Sequence, residues 1–142
     1  MTVPFWPLDL PCRVQRDGST QTLADGRIRQ EMDAGPPKVR RRTSAAVGRL
    51  TGSIVVGFDG RARFERFWFE EVHNGSLPFF IKDQFSDGVA LLAADGVPLL
   101  TDTGVPLVIT SWWLALFGQD APAITRLSPQ RWSISFGLDI LP

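Results

Sequence analysis

Residues 131–142 read RWSISFGLDILP, and in this stretch Trp132, Ile134, Phe136, Leu138 and Ile140 alternate with Ser133, Ser135, Gly137 and Asp139. A period of two puts every large apolar side chain on one face of an extended chain and every small or polar one on the other. That pattern predicts a strand with one buried face, closed by Pro142. Such a strand fits an antiparallel sheet covered on one side, which requires partner strands and a covering layer elsewhere in the chain.

Candidate partners lie throughout the sequence. LVITSWWLALF (107–117) is apolar enough for a buried strand and far too short to span a bilayer. VRRRTSAAVGRLTGSIVVGF (39–58) has strand composition, with Ile54 and Val56 facing one way and Val55 the other, and its continuous apolar run predicts burial on both faces. SLPFFI (76–81) is extended. Turn signals in RDGS and ADGR bracket TQTL (20–23), and RIRQEM (27–32) alternates so that Ile28, Gln30 and Met32 share a face. KDQFSDG (82–88) and AADGVPLLTDTGVPL (93–107) read as hairpins with Asp-Gly and Thr-Gly turns, VPLL and VPLV forming a small echo eight residues apart. AGPPK (34–38) and APAITRLSPQ (121–130) read as loops.

One segment changes period. In DGRARFERFWFEEVHNG (59–75), Phe64, Phe67, Trp68 and Val72 recur at i, i+3, i+4 and i+8, and Asn74-Gly75 stops the pattern. This predicts the single helix, with Phe64, Phe67 and Trp68 in the core beside Trp132, Ile134, Phe136 and Leu138 of the last strand. Before the first strand, VPFWPLDLPCRVQ (3–15) carries three prolines that forbid regular helix and predict an extended arm over residues 1–13, anchored by Phe5 and Trp6. Eight to ten strands and one helix in 142 residues make one mainly β domain. The expected architecture is a β-sandwich or barrel-like sheet pair with the helix packed against it.

The chemistry-bearing residues are sparse. Cys12 is the only cysteine and His73 the only histidine, so neither a disulfide nor a Cys/His metal site is expected. Phosphate-binding glycine loops and a nucleophile elbow are absent, Glu70 and Glu71 point apart as helical neighbours, and the Asp-Gly pairs are turn residues without calcium-loop spacing. No enzyme, cofactor or metal is expected. A ligand pocket lined by Trp112, Trp113 and Trp132 lacks a convergent polar set. With no apolar run of membrane-spanning length and no evident secretory signal, the chain is expected to be soluble and made in the cytoplasm.

Charge is the informative property. Lys+Arg and Asp+Glu stand at 15 each, yet residues 1–50 hold nine cations against five anions and residues 51–142 hold six against ten. Such a molecule can stack head to tail on copies of itself. The densest basic run is Lys38, Arg40, Arg41 and Arg42 within MDAGPPKVRRR (32–42). On a strand Arg40 and Arg42 share one face while Arg41 joins Val39 on the other, so no continuous basic stripe forms. A structural or subunit-interface role fits this division better than groove readout of nucleic acid or a solvated face.

The order FWPLDLP, RIRQEMDAGPPKVRRRTSA, a helix, GSLPF and a closing RWSISFGLDILP resembles a group of small tail proteins of long-tailed bacteriophages and prophages, with the stretch from Met32 to Thr43 the most specific part. The resemblance implies a tail-tube-like β-sandwich, a subunit of a homo-oligomeric, expectedly hexameric, distal-tail or tail-tip ring in the virion tail, made in the host cytoplasm. Its partners would be the tail tube protein and the tail-tip hub proteins, with phage DNA passing through. Lys38 and Arg40 to Arg42 would then hold subunits together or face the lumen. The segment from Asp83 to Gln130 departs from the pattern, which keeps a head-to-tail joining (neck) protein and a small nucleic-acid-binding module as alternatives.

Overall fold

The computed structural model describes Thr2–Pro142; Met1, the first residue of the expected arm, lies outside the described residues. Eight strands form: β1 (Thr20–Thr22), β2 (Arg27–Gln30), β3 (Lys38–Arg41), β4 (Gly48–Val56), β5 (Phe79–Lys82), β6 (Trp112–Phe117), β7 (Ala123–Ser128) and β8 (Arg131–Ile140). Between β4 and β5 lies α1 (Phe58–Arg66), which continues into a wider π-helical turn at Phe67–Glu71. The mainly β class with one helix is therefore what the chain forms. Six strands make an antiparallel sheet in the order β1-β4-β8-β6-β5, with β7 also on β8, and β2 and β3 make a separate two-stranded sheet.

The closing strand is the hub of this sheet. β8 pairs with β4 along its length, from Gly48↔Ile140 to Val56↔Trp132. Its other edge is shared by β6, at Ala115↔Ile140 to Phe117↔Leu138, and by β7, at Ala123↔Ser135 to Ser128↔Arg131. Ile134, Phe136 and Leu138 are buried, as are Leu50, Ile54 and Val56 opposite them. Val55 is only half-buried. The apolar run in β4 does not mean burial on both faces, because the layer that covers the sheet lies on one side only.

That layer is aromatic. Phe64 and Phe67 of the helical segment are buried against Trp6, Phe79, Phe117 and Phe136, with ring centroids 5.3–6.4 Å apart. The π turn, closed by the Val72 N–H donating to the Phe67 carbonyl at 3.0 Å, keeps Phe67 and Val72 on the core side. Trp68 is partly buried, edge-on to Phe117 at 5.0 Å, and Trp132 packs from the other end of the sheet. The helix stops through three consecutive left-handed residues, His73, Asn74 and Gly75 (φ 47°, 58° and 78°). A Cβ on Gly75 would lie 2.6 Å from the Trp68 ring, so glycine is required there for space as well as for conformation.

The arm lies on the body. The Trp6 N–H donates to the Phe80 carbonyl and the Phe80 N–H to the Pro4 carbonyl, so residues 4–6 run beside β5. Trp6 enters the core while Phe5 remains half-exposed, tilted on Phe80 and edge-on to Trp112.

One expected loop is a strand. APAITRLSPQ contains β7, whose six residues are all exposed. It is held by backbone pairing to the free edge of β8, a contact that writes no hydrophobic period into the sequence, and its prolines, Pro122 and Pro129, stand just outside the paired residues.

Candidate functional site

Two elements leave the body, and they carry the features that the core does not explain. The first is the β2–β3 hairpin, entered through Asp25-Gly26 and turned by Asp33–Pro37. Its register is Arg27↔Arg41, Ile28↔Arg40, Arg29↔Val39 and Gln30↔Lys38. Cross-strand partners share a face, so Arg27, Arg29, Val39 and Arg41 lie on one side and Ile28, Gln30, Lys38 and Arg40 on the other. Ile28, Gln30, Lys38 and Arg40 of the latter side, together with Val39, line a shallow hollow of about 460 Å³. β2 and β3 contact each other and no other strand or helix.

Lys38, Arg40, Arg41 and Arg42 are all exposed, and none makes an ion pair among the described residues. Arg27 is different. The Asp25 carboxylate accepts from its Nε at 2.8 Å, its Nη2 at 3.0 Å and its backbone N–H at 3.0 Å. These bonds from the Arg27 side chain and backbone hold the Asp25 carboxyl down at about 2. Arg41 stands directly opposite Arg27 without such a partner, and like charges facing each other across a ladder oppose pairing. The hairpin is therefore a structure whose own charges call for anions from elsewhere.

The second element is the segment between β5 and β6, expected as plain hairpins. It is a closed, three-legged unit with an eight-residue period: Gly88-Val-Ala-Leu-Leu, Gly96-Val-Pro-Leu-Leu and Gly104-Val-Pro-Leu-Val. The N–H of Leu99 donates to Leu91, that of Leu107 to Leu99 and that of Leu91 to Leu107, each at 2.9 Å, so the legs are bonded in a cycle. Antiparallel bridges Leu92↔Pro98, Leu100↔Pro106 and Ala90↔Val108 repeat the same relation. Gly88, Gly96 and Gly104 take φ of 79°, 82° and 82° at equivalent corners. Even the exposures match: 40 %, 42 % and 41 % for Leu91, Leu99 and Leu107. The echo of VPLL and VPLV was the visible part of this; its first copy has Ala90 in place of proline.

This tip presents ten exposed large aliphatic side chains, from Val89 to Ile109, far more than a solvated loop needs. Its only charges are Asp95 and Asp102, and the chain contains no Lys or Arg anywhere from residue 83 to residue 125.

A buried polar cluster fixes the base of the tip. Asp83, Gln84 and Asp87 are the buried polar residues among those described. The Asp83 carboxylate accepts from the N–H groups of Phe85 and Ser86 and from the Ser111 hydroxyl. Asp87 accepts from the Ser111 N–H through its side chain, from Arg13 through its carbonyl, and pairs with Lys82 at 3.4 Å. Gln84 accepts from the Val14 N–H at 2.8 Å and donates to the Cys12 and Lys82 carbonyls, tying the arm to the same point.

Burial raises the Asp83 carboxyl, but the hydrogen bonds from Phe85, Ser86 and Ser111 outweigh it, and the group lies below its ordinary value. A depressed carboxylate stabilises the fold above its unfolded value of about 3.9 and loses that contribution as pH falls through the lower folded value. Asp83→Ala leaves those donors unpaired and is expected to cost about 1–3 kcal/mol. Urea unfolding at neutral pH and at successively lower pH checks this: the gap between the two proteins should be full at neutral pH and shrink in acid.

The remaining sequence candidates are dispersed. Trp112 stacks under Lys82, Trp113 faces Phe85, and Trp132 lies against Phe58 and Arg61, so the three tryptophans line no common pocket. Cys12 is exposed in the arm. Among the described residues no three His, Cys, Asp or Glu side chains come together to hold a metal, and no helix is long and apolar enough to cross a membrane. The chain matches no model of a known protein family and no curated protein sequence.

Proposed function

We propose that the protein is a non-enzymatic structural subunit of a bacteriophage tail, a ring-forming distal-tail or tail-tip component that joins the tail tube to the tip. The observation that carries the reading is the β2–β3 hairpin: a charged element that adds nothing to the core and whose Lys38, Arg40, Arg41 and Arg42 make no ion pair among the described residues. A hairpin of two short strands is marginal alone, so an element of this kind is completed by assembly. The resemblance of residues 32–43 to phage tail proteins supports the same assignment. In this reading the basic residues bind a neighbouring subunit or line the channel.

Charge reversal tests it. Arg40→Glu with Arg42→Glu, introduced into the phage or prophage that encodes the chain, should leave the purified subunit folded with stability changed by no more than about 0.5 kcal/mol. Infectious particles should be lost. Normal yields of infectious particles from the double variant would sink the proposal, and immunogold labelling of the arm separates a tail-tip position from a neck position.

A nucleic-acid reading is favoured by one feature, that a projecting two-stranded ribbon with free arginines is a shape that enters a DNA groove. It predicts binding to duplex DNA that weakens steeply as salt rises, measured by fluorescence anisotropy. No binding at low salt removes it.

A further inference from the structure

We propose that the hairpin of one copy docks on the three-legged tip of the next, so that copies join head to tail. This rests on the self-assembly reading above and names its two surfaces. From Asp25 to Arg42 the hairpin carries six cations against three anions, whereas the tip carries only Asp95 and Asp102. Both surfaces are mixed in the same way, with exposed or half-exposed Ile28 and Val39 among the arginines and exposed leucines between the aspartates. Opposite charge around matched apolar patches gives attraction and register together.

Topology sets the two surfaces apart on one subunit, and charge selects hairpin on tip over like on like. The hairpin is inserted between β1 and β4, at one edge of the sheet order β1-β4-β8-β6-β5, and the tip between β5 and β6, at the other. A molecule with complementary surfaces on opposite edges forms a heterologous contact, which closes into a ring or runs on as a filament. A contact of either surface with its own copy would set arginine against arginine, or aspartate against aspartate.

Cysteine trapping tests the contact in the full chain. In a Cys12→Ser background, Val39→Cys protein and Leu99→Cys protein are mixed in equal amounts, oxidised gently, and the linked peptides are identified by mass spectrometry. The expected product is the mixed 39–99 link, in excess over 39–39 and 99–99. Adding Arg29→Glu and Arg41→Glu, on the hairpin face that carries Val39, should cut its yield about tenfold or more, and Asp95→Arg with Asp102→Arg in the partner should restore it. Equal yields of all three links, or no mixed link in either purified protein or particles, overturns the proposal. So does tip-dependent binding to neutral phosphatidylcholine vesicles in place of the mixed link. Particles that carry the protein in the tail but show no mixed link refute only this contact. A mixed link in protein that never enters tails refutes only the tail assignment.

Discussion

Trp6→Ala is expected to destabilise the protein by about 3–5 kcal/mol, against a total of about 5–15 kcal/mol for a domain of ordinary stability. Trp6 belongs to the proline-rich arm, yet only 4 % of it is exposed, and its ring lies 5.6–6.0 Å from those of Phe64, Phe67, Phe79 and Phe136. Its indole N–H donates to the Pro11 carbonyl at 3.0 Å, which locks the arm's own bend. Alanine leaves a cavity between the helix and the sheet and leaves the arm held to β5 by its backbone bonds without the ring that anchors it. Urea unfolding followed by far-ultraviolet circular dichroism measures the loss. A change below about 1 kcal/mol would mean that the arm is an attachment and not part of the core.

Phe117→Ala is expected to cost a similar amount, about 3–5 kcal/mol. Phe117 ends β6 and meets Phe64, Phe67, Trp68, Phe79 and Phe136 at centroid distances of 5.0–6.4 Å, so it joins the helix, the π turn and three strands. Tryptophan emission should shift as Trp68 loses its neighbour, before global unfolding in urea. Phe117→Leu should recover most of the stability, because it refills much of the volume. If alanine and leucine were equally damaging, ring geometry rather than filled space would be the source of the stability.

These core positions were readable because burial on one face imposes a period. The alternation in β8 and the Phe64-Phe67-Val72 spacing both predict the face that is buried, and Trp6 stands out as an aromatic residue among prolines, whereas Phe5, expected beside it as an anchor, stays half-exposed. What escaped sequence reading is held by backbone bonds. β7 pairs through its main chain with all its side chains exposed, and the three-legged tip closes through N–H and carbonyl groups of Leu91, Leu99 and Leu107. The available signal was glycine spacing, Gly88, Gly96 and Gly104, with Val next in each case; substitution of Ala90 for proline hid the first copy. For the candidate site, the split of Arg40 and Arg41 between faces was legible from strand parity. That the strand carrying them stands clear of the body was not, since a hairpin with alternating residues looks the same whether or not a sheet lies beneath it.

The cyclic bonding of the tip also bears on solubility. A leucine-rich extended segment with an open ladder is a template on which further chains add strands and grow into fibrils. In the tip each leg's inward N–H and carbonyl groups are taken by the next leg, and the last leg returns to the first. The segment can therefore offer its aliphatic side chains to a neighbour while withholding the backbone edge that would recruit strangers. Lengthening it by one leg without closing the circle would turn a selective surface into an aggregation seed.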